Sequence, residues 1–147
     1  MPEPAWSLYP QLAEDTAPIG DLALSRVLAI NAADYPWLIL VPRRVGVTEI
    51  ADLGDEAAAL MTEIVSASRA LKNVTRCDKL NIAAIGNVVP QLHVHIVARR
   101  NGDPLWPKPV WGAPARQDDR ARFETFVKAI RDMLGIAEDN KIAPRMR

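Results

Sequence analysis

Residues Gln91 to Val97 read QLHVHIV, and their strict alternation constrains the fold more than any other stretch of this chain. Successive side chains of an extended segment point to opposite faces. Leu92, Val94 and Ile96 therefore share one face, while Gln91, His93 and His95 share the other. The apolar face needs a core to cover it. The opposite face carries both histidines that the chain possesses. A fold must therefore bury a strand from one side and present two imidazoles, in register, on the other.

The neighbouring segments supply such a core. Thr48 to Lys72 changes period: Leu60, Ile64, Ala67 and Leu71 recur at helical spacing, with Ala57, Met61 and Val65 beside them. Asp55 and Glu56 at its start, and Arg69 and Lys72 at its end, suit the helix dipole. Before it, Leu8 to Leu12 reads as a short strand and Pro18 to Asp21 as a turn. Leu22 to Ile30 and the apolar run WLILV (Trp37 to Val41) then form an antiparallel hairpin that Pro42-Arg43-Arg44 ends. Lys79 to Gly86 and the histidine strand, continuing to Ala98, make a second hairpin. Arg99 to Arg116 contains Pro104, Pro107, Pro109 and Pro114 with Trp106 and Trp111, a composition that excludes regular helix or central strand. Gln117 to Leu134 is a second amphipathic helix, with Phe123, Phe126, Val127, Ile130, Met133 and Leu134 on one face. The terminal KIAPRMR is expected to fray. Strands, helix, strands and helix in that order predict an α+β domain with an antiparallel sheet.

Composition narrows the function. At 147 residues the chain reads as one domain spanning residues 1–147, long enough to hide roughly 70% of its unfolded surface. Eighteen basic residues balance eighteen acidic ones, so net charge predicts no grip on nucleic-acid backbone or on an anionic membrane. A lone cysteine, Cys77, excludes an internal disulfide and a cysteine-based zinc site. The first residues, MPEPAWSLYP, show no secretory pattern, and no apolar run is long enough to cross a bilayer. The expectation is a cytoplasmic protein.

Three uses of the histidine face remain open from the residues alone. Both rings could be structural, each satisfied by hydrogen bonds. They could form half of a metal site, with Asp78, Asp103, Glu124 or Cys77 as third ligand, although none of these stands at a telling spacing. Or one imidazole could attack phosphorus. Neutral imidazole is a good nucleophile near its ordinary pKa of about 6.5, provided that one nitrogen is bare and the other holds its proton against an acceptor. The second ring would touch the same phosphoryl group as hydrogen-bond donor or acid, and exchange would run through a covalent phosphoramidate.

The segment GNVVPQLHVHIVARR resembles the signature of the histidine triad (HIT) superfamily, His-φ-His-φ-His-φ-φ with φ apolar. VLAINAADYPWLILVPRRVGVTEIADL resembles that family's preceding strand, turn, strand and helix. Order and spacing agree from about Leu22 to Arg100, and DPLWPKPVWG resembles the tails of bacterial members. The resemblance implies a HIT-like core over about residues 8–100, with one long central helix, and a Pro/Trp-rich segment and C-terminal helix over 101–147. It implies His93 as the nucleophile that takes a nucleoside monophosphate and His95 as the residue contacting the phosphate oxygens. Asn31 falls on the position that meets ribose, and Asn87 on one that binds phosphate. The implied activity is hydrolysis or transfer at the α-phosphate of a dinucleoside polyphosphate or nucleoside phosphoramidate. A homodimer is implied, with a purine nucleotide as small-molecule partner and no metal or other cofactor in the covalent step.

The chain departs from the pattern at three places. Gln91 replaces the first histidine of the triad, Trp37 stands where many members carry a further histidine, and Val88 occupies a position that several hydrolases give to Ser or Thr. None of these removes the nucleophile. The backbone carbonyl of residue 91 is independent of its side chain and is the expected acceptor for His93 Nδ1. A neutral amide cannot carry a proton as imidazolium can, and losing one acid contribution typically costs about 10²–10⁴-fold in rate. The rival expectation is therefore a nucleotide-binding or interaction protein with little or no turnover. Arg43, Arg44, Arg99 and Arg100 read as solvated rather than phosphate-binding, and Cys77 as inert. Trp106 and Trp111 line a base pocket, cross a dimer interface or pack the tail onto the domain.

Overall fold

The computed structural model describes residue 2 and residues 4–137, so the expected fraying of the last seven residues lies outside the described residues. Among these residues five strands form one antiparallel sheet: β1 (Ala17–Asp21), β2 (Ser25–Ile30), β3 (Trp37–Pro42), β4 (Lys79–Ala83) and β5 (Val94–Arg99). Their spatial order is β1-β2-β3-β5-β4. Among the described residues three α-helices accompany them: α1 (Pro10–Asp15), α2 (Glu56–Thr75) and α3 (Arg120–Met133). The architecture is α+β, and both expected hairpins are present as β2–β3 and β4–β5.

WLILV is continuously apolar because β3 is buried along its whole length, with both faces of the sheet covered. Leu38 and Leu40 meet Val94 and Ile96 of β5 and Leu60, Ile64, Ala67 and Leu71 of α2 in the main core. Trp37, Ile39 and Val41 face the other way, among Leu12, Leu28, Tyr35, Val97 and Val110. The histidine face thus looks into a second, smaller apolar layer.

Several expected boundaries move for identifiable reasons. Leu8 to Leu12 is not a strand: α1 begins at Pro10, whose fixed φ suits the first helical position. Pro18 to Asp21 is not a turn but most of β1. That strand lies at the sheet edge and its register shifts between Pro18 and Gly20, which accommodates a residue with no N–H to donate. The predicted helix from Thr48 to Lys72 divides. Ile50–Leu53 form one 3-10 turn closed by reciprocal Glu49 and Asp52 bonds, and Gly54, at φ 58°, redirects the chain before α2. Met61 and Val65 are exposed, so the buried stripe of α2 is narrower than its apolar pattern. The second helix starts three residues later than expected, at Arg120, where Asp119 accepts the Arg122 N–H at 2.9 Å. Its exposed Met133 is likewise not core.

The segment after β5 is pinned through one side chain. Arg99 is 1% exposed. Its guanidinium donates to both carboxylate oxygens of Asp103 at 2.7 and 2.9 Å, to Asn81 at 2.9 Å and to the Lys108 carbonyl at 2.8 Å. It also lies over the rings of Tyr35 and Trp106. The bonded Arg99 holds the Asp103 carboxyl below the usual carboxylate range.

Candidate active site

The histidine segment joins the sheet later than its alternation suggests. Pairing of β5 starts at Val94, so Gln91, Leu92 and His93 lie just before the strand, with a bend at Gln91. The alternation survives: Leu92 lies in the main core, its N–H bonded to the Val47 carbonyl at 3.0 Å, and His93 and His95 stay together on the opposite face. Their rings are 4.9 Å apart, edge to face. Both are nearly buried, at 7% and 8% exposure.

Each ring has one nitrogen occupied. His93 Nδ1 is 2.7 Å from the Gln91 carbonyl oxygen. An oxygen can only accept, so Nδ1 carries the proton and Nε2 presents a lone pair when the ring is neutral. His95 is held the other way round. The indole Nε1–H of Trp37 donates to His95 Nδ1 at 3.0 Å, which puts the proton of the neutral ring on Nε2. The register explains this contact: Ile39 sits opposite His95, and Trp37, two residues earlier on the same face, reaches the imidazole along the diagonal. Burial, aided by neighbouring His93, pushes the His95 pKa down to about 4.

A cleft of about 470 Å³ opens over the two rings, within the range of small-ligand sites. His93, His95 and Asn87 line it together with Trp111, Val88, Ile39 and residues of α1. Trp111 stacks edge-on against His95 at 5.6 Å and against Trp37 at 6.0 Å. Gly86, at φ 68°, turns the chain into the Asn87 loop.

The other expected residues are placed differently. The carboxamide of Gln91 is turned toward the N-terminal segment. Its oxygen accepts the Tyr9 N–H at 2.8 Å and its nitrogen donates to the Ser7 carbonyl at 3.0 Å. Asn31 is bound to the backbone of Asp118 through both ends of its amide, at 2.8 and 3.2 Å, and is not among the cleft-lining residues. Of the arginines expected to be solvated, Arg100 is exposed and Arg43 and Arg44 are half-buried, whereas Arg99 is buried. Arg99 is the buried knot described above. Arg44 pairs with Glu56, Arg43 donates to the Leu22 and Ala23 carbonyls, and Arg100 donates to the Thr75 and Arg76 carbonyls. Cys77 is a buried free thiol.

Among the described residues no three His, Cys, Asp or Glu side chains gather where they could hold a metal ion. Asp103 is bound to Arg99, Asp78 accepts the Asn101 N–H, and Glu124 pairs with Arg120. No described helix is long and apolar enough to cross a membrane. The contribution of α1 to the cleft is absent from the sequence reading, although Pro10 signals a helix start. The Trp37–His95 bond is likewise beyond sequence, because it depends on which residues pair across β3 and β5.

Comparison with known proteins agrees with this geometry. The family profile described as HIT domain matches residues 12–102. AP-4-A phosphorylase of Mycobacterium tuberculosis is 33% identical over 113 residues, 69% of this chain and 56% of that protein, so the chain spans little more than half the length of the curated relatives it matches. A histidine triad protein structure from Bradyrhizobium japonicum is 58% identical with a TM-score of 0.86, covering 89% of this chain and 99% of that one. Another, from Sinorhizobium meliloti, is 41% identical with a TM-score of 0.83, covering 86% and 96%. With its paired imidazoles under one cleft and a family match across well over half its length, the chain belongs to the histidine triad family.

Proposed function

We propose that this protein is a nucleotide hydrolase or transferase in which His93 Nε2 attacks the α-phosphate of a purine nucleotide. One observation carries the reading: the Gln91 carbonyl holds the Nδ1 proton of His93 at 2.7 Å, and the ring lines the cleft. In the attack the Nε2 lone pair forms the N–P bond while the P–O bond to the leaving group breaks and its electron pair stays on the departing oxygen. The phosphorylated ring, protonated at Nδ1, is positively charged, and the carbonyl at position 91 stabilises that charge. Water then attacks phosphorus, the N–P pair returns to His93, and the proton of water passes to solvent. His95 and Asn87 hold the phosphate oxygens.

In this reading Gln91 stands in place of the first triad histidine and supports the site by fastening residues 7–9, and hence α1, beside it. Asn31 contacts ribose only if its Asp118 bonds open, so we assign it to holding the segment that leads into α3. The relationship to an enzyme described as AP-4-A phosphorylase supports a dinucleoside polyphosphate substrate. A second copy of the chain would join along β4, whose outer edge is unpaired in the sheet and whose Ile82 is exposed.

Brief exposure to a diadenosine polyphosphate, followed by mass spectrometry, should reveal a species heavier by one nucleoside monophosphate, and His93→Ala should abolish both adduct and product. Turnover that survives the substitution refutes the assignment. The neutral, tethered Gln91 favours a second reading, nucleotide binding without turnover. That reading predicts calorimetric AMP binding, no adduct, and a His93→Ala protein that still binds.

A further inference from the structure

The nucleotidyl-transfer reading places His95 on the phosphate oxygens, and the indole behind the ring fixes which of its nitrogens carries the proton. We propose that Trp37 is a positioning residue that locks His95 as the Nε2–H tautomer, so that His95 gives the phosphoryl group a hydrogen bond and gives the leaving group no proton. The proposal rests on the assignment of His93 as nucleophile.

Trp37 Nε1–H is a donor with no acceptor capacity, and it points at His95 Nδ1 from 3.0 Å. A proton on Nδ1 would face that N–H directly. Both the Nδ1–H tautomer and the imidazolium are therefore excluded while the indole holds its place. Trp37 is itself held: it is 9% exposed, pairs with Val97 across the ladder and packs edge-on against Trp111. Its indole is rigid on a buried strand, and rotation of the imidazole is opposed by His93 on one side and Trp111 on the other. The lowered pKa of His95 agrees with a ring kept neutral.

A consequence for substrate class follows. Val88 is 88% exposed and apolar, the Gln91 amide is occupied by backbone, and the Nε2–H of a neutral His95 donates a hydrogen bond but is too weakly acidic to protonate a leaving group. A leaving group must then depart as a stable anion. A polyphosphate does so, since its oxygen keeps the electron pair of the broken P–O bond without protonation. An amine does not, since cleavage of a P–N bond needs a proton on the departing nitrogen. The cleft is accordingly built for phosphoanhydrides, with nucleoside phosphoramidates turned over poorly.

Nitrogen and carbon NMR of histidine-labelled protein at neutral pH reads the tautomer directly, whether or not the protein is an enzyme. Wild type should show His95 protonated at Nε2 alone. Trp37→Phe, which keeps an aromatic ring but removes the N–H, should show a mixture with Nδ1–H. With a diadenosine polyphosphate the variant should lose about 10- to 100-fold in kcat, by analogy with the loss of a partner that orients a metal-bound imidazole, with KM little changed. A wild-type His95 protonated at Nδ1, or a tautomer unmoved in Trp37→Phe, overturns the lock. A shifted tautomer with unchanged kcat overturns its role in catalysis, and phosphoramidate turnover as fast as that of the polyphosphate overturns the leaving-group rule. Absence of any nucleotidyl-His93 in wild type instead sinks the underlying reading, while the NMR arm still decides the lock.

Discussion

Two imidazoles two residues apart differ in chemistry because different partners hold them. A carbonyl oxygen faces Nδ1 of His93 and an indole N–H faces Nδ1 of His95, so the first ring offers a lone pair and the second a donor. The second assignment has a thermodynamic signature. With a folded pKa of about 4 against an ordinary value of 6.5, His95 binds a proton more readily in the unfolded chain. Its contribution to stability is therefore whole above pH 6.5, declines as pH falls toward 4, and is gone below that. The difference amounts to at most about 3 kcal/mol. Denaturant titrations of wild type and His95→Gln between pH 4 and pH 7 should show the wild type losing more stability on acidification. Parallel profiles would contradict the buried neutral ring.

At the scale of elements, legibility followed periodicity. The stripe of α2 and the alternation around His93 were readable because a core imposes a repeat on the residues that face it. Ends and edges were not. Gly54 splits the expected helix, and Pro18 sits in an edge strand that a turn rule misreads, since neither depends on a repeat. Arg99 was read as a solvated strand end because Asp103, Asn81 and Lys108, which surround it, are brought together by the tertiary fold. Of the site, the shared face of His93 and His95 was legible from spacing and the carbonyl at position 91 was the expected acceptor for His93 Nδ1, whereas the contacts of Trp37 and Gln91 needed pairing register and the course of the N-terminal segment. The Arg99 knot ties β5 to the Pro/Trp-rich segment, and Arg99→Ala leaves Asp103 buried without its partner. Such a loss typically costs about 3–5 kcal/mol, measurable as a lowered midpoint in urea. A cost below about 1 kcal/mol would show that the segment is held by other contacts.

For the whole molecule, the sheet has two outer strands with opposite prospects. β1 is interrupted by its register shift and backed by α3 through the bond from Arg131 to the Ile19 carbonyl. β4 is uninterrupted in its pairing with β5 and carries exposed Ile82, with Ile85 and Val88 exposed just beyond it. Light scattering after gel filtration should give twice the chain mass, and Ile82→Lys should reduce it toward the monomer value. A wild-type protein that remains monomeric at tens of micromolar removes β4 as a joining edge. Gln91 extends the same logic inward. One carboxamide closes a span of more than eighty residues between the N-terminal segment and the approach to His93. Local sequence supplies the paired imidazoles, but the chamber around them exists only after distant parts of the polypeptide have met, so a peptide bearing the signature alone has the rings without the vessel.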